Sequence, residues 1–163
     1  MQNNNDIQRL KNYGFEGFMT IKELREIHQH SQLPVPAQGG VYASLRLSNN
    51  EPQFFTTGTG GAYQKKDPNM PIATLKRKWV DNTSIMYIGE TSNLQDRISL
   101  YLNFGNGEPV RHWGGRYVWQ LKDVNDMVVC WKIAPNEHSD IKKMMLNKFK
   151  EEHNGSKPFA NIR

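Results

Sequence analysis

Residues 85–105 constrain the fold of this 163-residue chain more than any other segment, because a short buried strand there leads directly into an amphipathic helix. Residues 85–88 are apolar and are closed by Gly89, which predicts a strand. The next apolar residues recur at i, i+4, i+7 and i+8, the spacing of one helix face: Leu94, Ile98, Tyr101 and Leu102. Ser92 and Gln95 match the capping box that begins such a helix. The segment therefore predicts a helix packed on a sheet.

Apolar periodicity predicts the other elements and a mixed α/β (α+β) fold. Alternation predicts a strand at 41–47 and two antiparallel strands at 117–121 and 127–133. Helical spacing predicts a helix at 72–80 and a last helix whose apolar face carries Ile141, Met145 and Phe149. Residues 6–30 are predicted to be helical in pieces, and Thr20 and Glu23 form a second capping-box match. Pro and Gly between residues 32 and 40 indicate a connector.

Composition narrows the class of partner. The formal net charge is +5 and the pI is about 9.3, which suits a polyanion, although a basic protein with no special partner is equally compatible. The only cysteine, Cys130, lies in an apolar run and predicts a small buried core residue. A single cysteine excludes an intrachain disulfide, and we expect a cytoplasmic protein. No apolar stretch approaches the roughly 18 residues of a membrane span.

The candidate catalytic residues of this sequence are three tyrosines and one arginine. Tyr42 ends Gly40-Val41-Tyr42 on one predicted strand, and Tyr87 begins Tyr87-Ile88-Gly89 on another. Arg97 and Tyr101 are four residues apart, so they leave the same side of the helix. A phenol can orient or deprotonate water or donate to an oxygen, and a guanidinium can hold a phosphate through two hydrogen bonds. These groups together suit phosphodiester cleavage.

These residues, in this order, resemble the GIY-YIG nuclease superfamily. Gly40-Val41-Tyr42 and the segment from Tyr87 to Arg97 resemble its two tyrosine motifs, and Lys157-Pro158-Phe159-Ala160-Asn161 is similar to its terminal segment. The resemblance covers roughly residues 39–163. It implies a small three-stranded antiparallel sheet flanked by helices, and a DNA endonuclease that uses Mg²⁺ or Mn²⁺. Residues 1–38 then form an N-terminal helical extension and connector, and 39–163 form the nuclease domain with an insertion at about 48–83.

The resemblance also implies a role for each matching residue. Tyr42 would activate or position the water, Tyr87 would bind near the scissile phosphate, and Arg97 would stabilise the transition state. Tyr101 falls where relatives carry a His or Tyr, and Asn161 would support the site from the C-terminus. His112 lies between elements that should border the site. It is interpreted as an acid/base or a phosphate contact, with a structural histidine as the alternative.

The expected nucleic-acid contacts are basic side chains around this set. They are Lys65 and Lys66 in the Gly-rich loop of the insertion, Arg111 and Arg116 beside His112, and Lys142 on the last helix. A plain solvated loop is the alternative for residues 56–71.

The resemblance implies a metal-binding Glu on the last helix, and registering Met145-Leu146 as the apolar pair that follows it places Lys142 at that position. Asp140 is the best substitute ligand, although two residues earlier on a helix it points about 200° away. The Lys142 ammonium can instead bind a phosphate directly. Two functions therefore stay open: a metal-dependent DNA endonuclease, or a catalytically impaired GIY-YIG fold that binds nucleic acid.

Overall fold

The computed structural model describes residues 2–162, with side chains from residue 5 onwards. Within that range the strands are β1 (Glu16–Thr20), β2 (Gly40–Leu45), β3 (Ile85–Thr91) and β4 (Val128–Ile133). The α-helices are α1 (Gln2–Asn12), α2 (Ile21–His30), α3 (Ile72–Lys78), α4 (Leu94–Gly105) and α5 (His138–Glu152). Three 3₁₀ helices span Tyr63–Lys65, Trp113–Gln120 and Val124–Asp126. None of the helices in this range has the length and apolar character that crossing a membrane requires.

The strands form one small antiparallel sheet in the order β1-β4-β2-β3. β2 is central and pairs with both β3 and β4. In this register Tyr42 lies opposite Gly89 on β3 and Trp131 on β4. The mixed α/β fold with a small antiparallel sheet flanked by helices is therefore confirmed.

Helices cover both faces of the sheet, so every residue of β2 is buried. Val41, Ala43 and Leu45 face a core that is closed by apolar side chains of α1 and α5. Tyr42 faces the opposite core, which is larger and contains apolar residues of α2 and α4. The alternation predicted for this strand thus sorts its side chains between two cores and places the tyrosine on the α4 side.

The sheet has four strands rather than the three that the resemblance implies. The additional strand, β1, lies within the N-terminal segment that was expected to be helical, and it pairs with β4. Gly17 in β1 has a φ of +94°, and a Cβ on it would lie 2.5 Å from the Trp131 ring. A glycine and a register shift interrupt the alternation, and for this reason the strand left no period-two signal.

Residues 117–121 form no strand, contrary to the prediction. They belong mainly to the 3₁₀ helix Trp113–Gln120, and only Leu121 makes an isolated bridge, to Phe54. Tyr117, Val118 and Trp119 are all buried. An apolar run that is buried on all sides has no polar face, so its sequence did not distinguish a helical turn from a strand.

The two capping predictions have different outcomes. At α2, the Thr20 hydroxyl accepts a hydrogen bond from the Glu23 amide at 3.0 Å, and the Glu23 carboxylate accepts one from the Thr20 amide at 3.1 Å. At α4 the cap is Asn93 rather than Ser92, and its side-chain oxygen accepts from the Asp96 amide at 3.1 Å. Asparagine caps a helix as well as serine does, so moving the N-cap of α4 by one residue does not reduce the stability of the helix.

The insertion is attached to the interior by Gln120, a buried residue that the sequence analysis did not single out. Its amide nitrogen donates to the carbonyls of Phe55 at 3.1 Å and Met70 at 3.0 Å. Its amide oxygen accepts from the Met70 amide at 2.8 Å. Both ends of the loop are therefore fixed, and the Gly61 amide, close to its 3₁₀ turn Tyr63–Lys65, donates to the Phe104 carbonyl at the end of α4 at 2.9 Å.

Candidate active site

A cleft of about 480 Å³, called here the basic cleft, lies where β3, α4, α5 and the C-terminal segment meet. β3 contributes Tyr87, α4 contributes Arg97, α5 contributes Lys142 and the C-terminal segment contributes Asn161. Ile162 also comes from the C-terminal segment. The remaining lining residues come from the insertion and from the region around the start of the 3₁₀ helix Trp113–Gln120; they are Tyr63, Gln64, Lys66, Arg111, Trp113 and Gly114. Segments far apart in sequence thus converge on one concave surface.

All the charged side chains that line the basic cleft are cationic: Lys66, Arg97, Arg111 and Lys142. By contrast, a cleft on the α1 side of the molecule contains both Asp6 and Glu152. Like charges that share a small concave surface raise its positive potential and attract anions. The basic cleft is therefore chemically suited to a phosphate or another oxyanion.

Tyr87 forms part of the cleft wall, whereas Tyr42 lies beneath it. Tyr87 is 6% exposed and Tyr42 1%, and their ring centroids are 5.9 Å apart. The Tyr42 ring lies over Gly89, where a Cβ would be 2.4 Å from the ring. The glycine of Tyr87-Ile88-Gly89 is needed because the first tyrosine occupies the space of its missing side chain.

Both phenols are proton donors at neutral pH. Burial raises the pKa of Tyr42 well above the ordinary value, and the neighbouring Tyr87 adds to this rise, while Arg97 opposes it. Burial likewise raises the pKa of Tyr87, against the lowering effects of Tyr42 and Arg97. A phenol with a raised pKa keeps its proton, so Tyr87 can donate a hydrogen bond to an anion in the cleft.

His112 is buried under the basic cleft and does not line it. Its Nε2 is 2.8 Å from the Tyr42 hydroxyl, and its ring centroid is 4.6 Å from that of Tyr101. Burial, with a smaller effect of Arg97, lowers the pKa of His112 to about 3. Its ring is therefore neutral near pH 7, and its hydrogen bond with the Tyr42 hydroxyl orients Tyr42. Because His112 is buried, it could contact a phosphate directly only if the residues that cover it moved.

Tyr101 is also a buried member of this aromatic cluster. Its hydroxyl is 3.0 Å from the Ser44 hydroxyl, and its ring stacks on Tyr87 with centroids 6.2 Å apart. Burial raises its pKa, an effect that its hydrogen bond with Ser44 opposes. Tyr101 supports the ring of Tyr87 from behind and has no face on the cleft.

The unfolding free energy is expected to depend on pH through His112. Its folded-state pKa of about 3 lies below the ordinary value of 6.5, so the unfolded chain binds the extra proton between these values and stability falls as the pH is lowered. Between about pH 7 and about pH 5 this loss is about 2 kcal/mol. Denaturant unfolding at both pH values measures it. His112→Phe should remove this part of the pH dependence, and an unchanged pH dependence in the variant would contradict the assignment.

Arg97 is held at the mouth of the cleft by one backbone contact. Its Nη1 donates to the Arg111 carbonyl at 2.6 Å. The guanidinium lowers the pKa values of the Tyr42 and Tyr87 phenols and the His112 imidazole, which places its charge close to all three groups. Arg97 lines the cleft at the edge of the α4 face on which Leu94 and Ile98 are fully buried.

Lys142 faces the same cleft, and an acidic residue lies behind it. Burial lowers the pKa of Lys142; the Glu90 carboxylate opposes that shift and Arg97 reinforces it. Glu90 itself is paired with His138 Nδ1 and accepts a hydrogen bond from the Ser139 hydroxyl at 3.2 Å. Glu90 was not predicted as a site residue, because a carboxylate near the end of a strand is usually a solvated side chain.

Asn161 lines the basic cleft and also pairs with the backbone of β3. Its side-chain oxygen accepts from the Ile88 amide, and its side-chain nitrogen donates to the Ile88 carbonyl, both at 2.9 Å. β3 is an edge strand, so these hydrogen bonds satisfy groups that no neighbouring strand reaches. Asn161 thus fixes the C-terminal segment at the site.

Asn161→Ala is expected to lower the unfolding free energy by about 2 kcal/mol, since it leaves two buried backbone groups of Ile88 without partners. Chemical denaturation of the variant and the natural protein measures the difference. Asn49→Ala, at an exposed loop position, serves as the control and should change stability by about 0.5 kcal/mol or less. Equal stability of Asn161→Ala and the natural protein would show that the pairing contributes nothing.

Besides the buried Tyr42, Tyr101 and His112, three further predicted site residues do not line the basic cleft. Lys65 is exposed on the 3₁₀ turn. Arg116 donates to the Trp113 carbonyl at 3.1 Å, and its guanidinium lies 4.3 Å from the centre of the Trp113 ring. Asp140 is exposed in the first turn of α5. Of the predicted contacts, the cleft therefore unites Lys66, Arg111 and Lys142 with Tyr87, Arg97 and Asn161.

The lining of the basic cleft does not fit a divalent metal. Mg²⁺ and Mn²⁺ bind carboxylate and other oxygen ligands, and the cleft has cationic side chains without a carboxylate. Within residues 2–162, no three His, Cys, Asp or Glu side chains are grouped so that they could hold a metal ion. The metal requirement that the sequence resemblance implies stays a prediction.

Comparisons of the chain with protein-family models, with curated proteins and with solved structures gave no match.

Proposed function

We propose that this protein is a nuclease of the GIY-YIG type that hydrolyses DNA phosphodiester bonds in the basic cleft. The observation that carries this proposal is the convergence of Tyr87, Arg97 and Lys142 on one cationic surface, with Tyr42 directly beneath. These side chains come from β3, α4, α5 and β2. Their convergence gives a scissile phosphate donors on more than one side.

The chemistry follows from the proton state and the charge of each side chain. Arg97 presents a planar fork of donors to the non-bridging oxygens, and Lys142 adds a second positive charge. Tyr87 keeps its proton and donates to a phosphate oxygen. Negative charge grows on the phosphate as the water oxygen bonds to phosphorus and the P–O bond to the leaving oxygen breaks, and donors fixed in advance stabilise that charge. The attacking water loses a proton to solvent, and the leaving oxygen takes one from solvent. Tyr42 and His112 keep the Tyr87 ring and the cleft floor in position.

A second candidate is a nucleic-acid-binding module without nuclease activity. The observation that favours it is the lining itself, which includes Lys142 and no carboxylate; the resemblance implies an acidic metal ligand at the position of Lys142. Cationic side chains bind phosphates without any metal. Both candidates predict binding of DNA, and only the nuclease predicts cleavage.

Digestion of supercoiled plasmid DNA separates the two candidates. The natural protein is incubated with Mg²⁺, with Mn²⁺ or with EDTA, and nicked and linear products are measured over time. We expect cleavage, and comparison of the reactions with divalent cation and with EDTA measures whether it needs a metal. DNA binding without cleavage in any condition would remove the nuclease and retain the binding module. Absence of both would remove both candidates.

The Lys65 and Lys66 pair provides an internal comparison for DNA binding. Lys66 lines the basic cleft and Lys65 does not. Lys66→Gln is expected to reduce the slope of log binding constant against log salt concentration by about 1, the loss of one phosphate contact. Lys65→Gln, with the same change of charge, should leave the slope unchanged. Fluorescence anisotropy across a salt series measures both, and equal slopes for the two variants would exclude a specific contact by Lys66.

A further inference from the structure

A second cleft, called here the flanking cleft, adjoins the basic cleft and has a volume of about 360 Å³. The two share Asn161 and Ile162, which line both of them. The other lining residues come from the end of α3 with the residues after it, the 3₁₀ helix Trp113–Gln120 and the C-terminal segment; they include Arg77, Lys78, Trp79, Lys157 and Phe159. The clefts adjoin at these two residues, so a polymer bound in one cleft can extend into the other.

The charged lining of the flanking cleft is also entirely basic: Arg77, Lys78 and Lys157. Among the residues that the structure describes, none of these three forms an ion pair. Another cleft that Trp79 lines contains both Glu51 and Asp81, so cationic lining is not a general property of this surface. The two adjoining clefts together carry seven basic side chains, four in the first and three in the second.

The basic residues of the flanking cleft lie next to residues that are packed in the protein core. Leu75 of α3 is fully buried in the larger core. Trp79, directly after α3, packs on Phe159 with ring centroids 5.0 Å apart and on Phe54 at 6.1 Å. The chain segments that carry Arg77, Lys78 and Lys157 are thus joined through these rings, which fixes the backbone at these three positions relative to the basic cleft.

We propose that the flanking cleft binds the phosphodiester backbone of the nucleic acid on one side of the phosphate held in the basic cleft. Two adjoining cationic clefts fit a polymer with phosphates at regular intervals, whereas a mononucleotide would occupy only one of them. This inference rests on the proposed function and adds to it a direction: the substrate runs past Asn161 towards α3, and the insertion is part of the binding surface.

The test measures binding of the full chain to DNA duplexes of increasing length. The variant combines Arg77→Gln, Lys78→Gln and Lys157→Gln. The control combines Lys22→Gln, Lys76→Gln and Lys143→Gln, which are exposed, line neither cleft and change the net charge equally. We expect the variant to bind long duplexes about tenfold more weakly, with a salt slope reduced by about 2 to 3. The shortest duplexes should bind as they do to the natural protein, and the control should match the natural protein throughout.

Hydroxyl-radical footprints and plasmid cleavage complete the experiment. The variant should lose protection on one flank of the footprint and retain it at the centre. Equal weakening by variant and control, or symmetric loss of protection, overturns the inference; if the natural protein still cleaves DNA, the proposed function stands. Length-dependent binding that needs these three cations, without cleavage by the natural protein, supports the inference and removes the nuclease. Absence of DNA binding by the natural protein overturns both. Circular dichroism confirms that each variant is folded.

Discussion

Arg97→Ala is expected to reduce DNA cleavage by about 10²- to 10³-fold, the usual loss when a fixed donor to a growing negative charge is removed. Arg97 lines the basic cleft and its charge acts on both tyrosine phenols. Its hydrogen bond to the Arg111 carbonyl contributes about 1 kcal/mol to stability, so the variant should remain folded. Initial rates of plasmid nicking at saturating DNA provide the measurement.

Two further variants control for effects of charge and fold. Lys143→Ala removes one cation from the exposed residue next to Lys142 and should cleave DNA normally. Arg97→Lys retains the charge without the planar fork and should have an intermediate rate. Normal cleavage by Arg97→Ala, with its fold verified by thermal unfolding, would remove Arg97 from the mechanism.

Lys142→Glu is expected to raise metal-dependent cleavage by about tenfold or more, because it introduces a carboxylate that a hard divalent cation needs and removes a charge that repels it. Lys142 lies in the same cleft as Tyr87 and Arg97, so a Glu at this position would face the bound phosphate. Digestion of DNA by the two proteins across Mg²⁺ and Mn²⁺ concentrations measures the effect. Calorimetric titration with Mn²⁺ should show a binding site that the natural protein lacks.

Lys143→Glu is the matched control, since it makes the same change of charge one residue along α5 at an exposed position. It should neither bind Mn²⁺ nor increase cleavage. If the natural protein cuts well and Lys142→Glu cuts more slowly, the metal is held elsewhere and Lys142 contacts the phosphate directly.

Local periodicity predicted the elements that carry the site. Alternation along β2 assigned Tyr42 to the face opposite Val41 and Ala43, and the two cores of the structure follow that assignment. The apolar face of α4 likewise left Arg97 on the side that lines the cleft. Both patterns concern residues within a few positions of each other, and such patterns are readable from one sequence.

Contacts between distant segments were not predictable in the same way. β1 depends on Gly17 giving space to the Trp131 ring, 114 residues later in the chain. Gln120 fixes the insertion by bonding to backbone groups at Phe55 and Met70, and backbone groups leave no sequence signal. The position of Glu90 behind Lys142 depends on how α5 packs on β3. These features follow from tertiary packing, which overrides local preference.

The pairing of the C-terminal segment with β3 also affects how the protein behaves at high concentration. An uncovered edge strand is a template for strands of other molecules and a starting point for aggregation. Here the Met86 carbonyl accepts from the Ala160 amide at 2.8 Å, and Asn161 occupies both backbone groups of Ile88. The residues that complete the wall of the cleft therefore also block this edge of the sheet from intermolecular pairing. Loss of the segment would open the cleft and the sheet edge together.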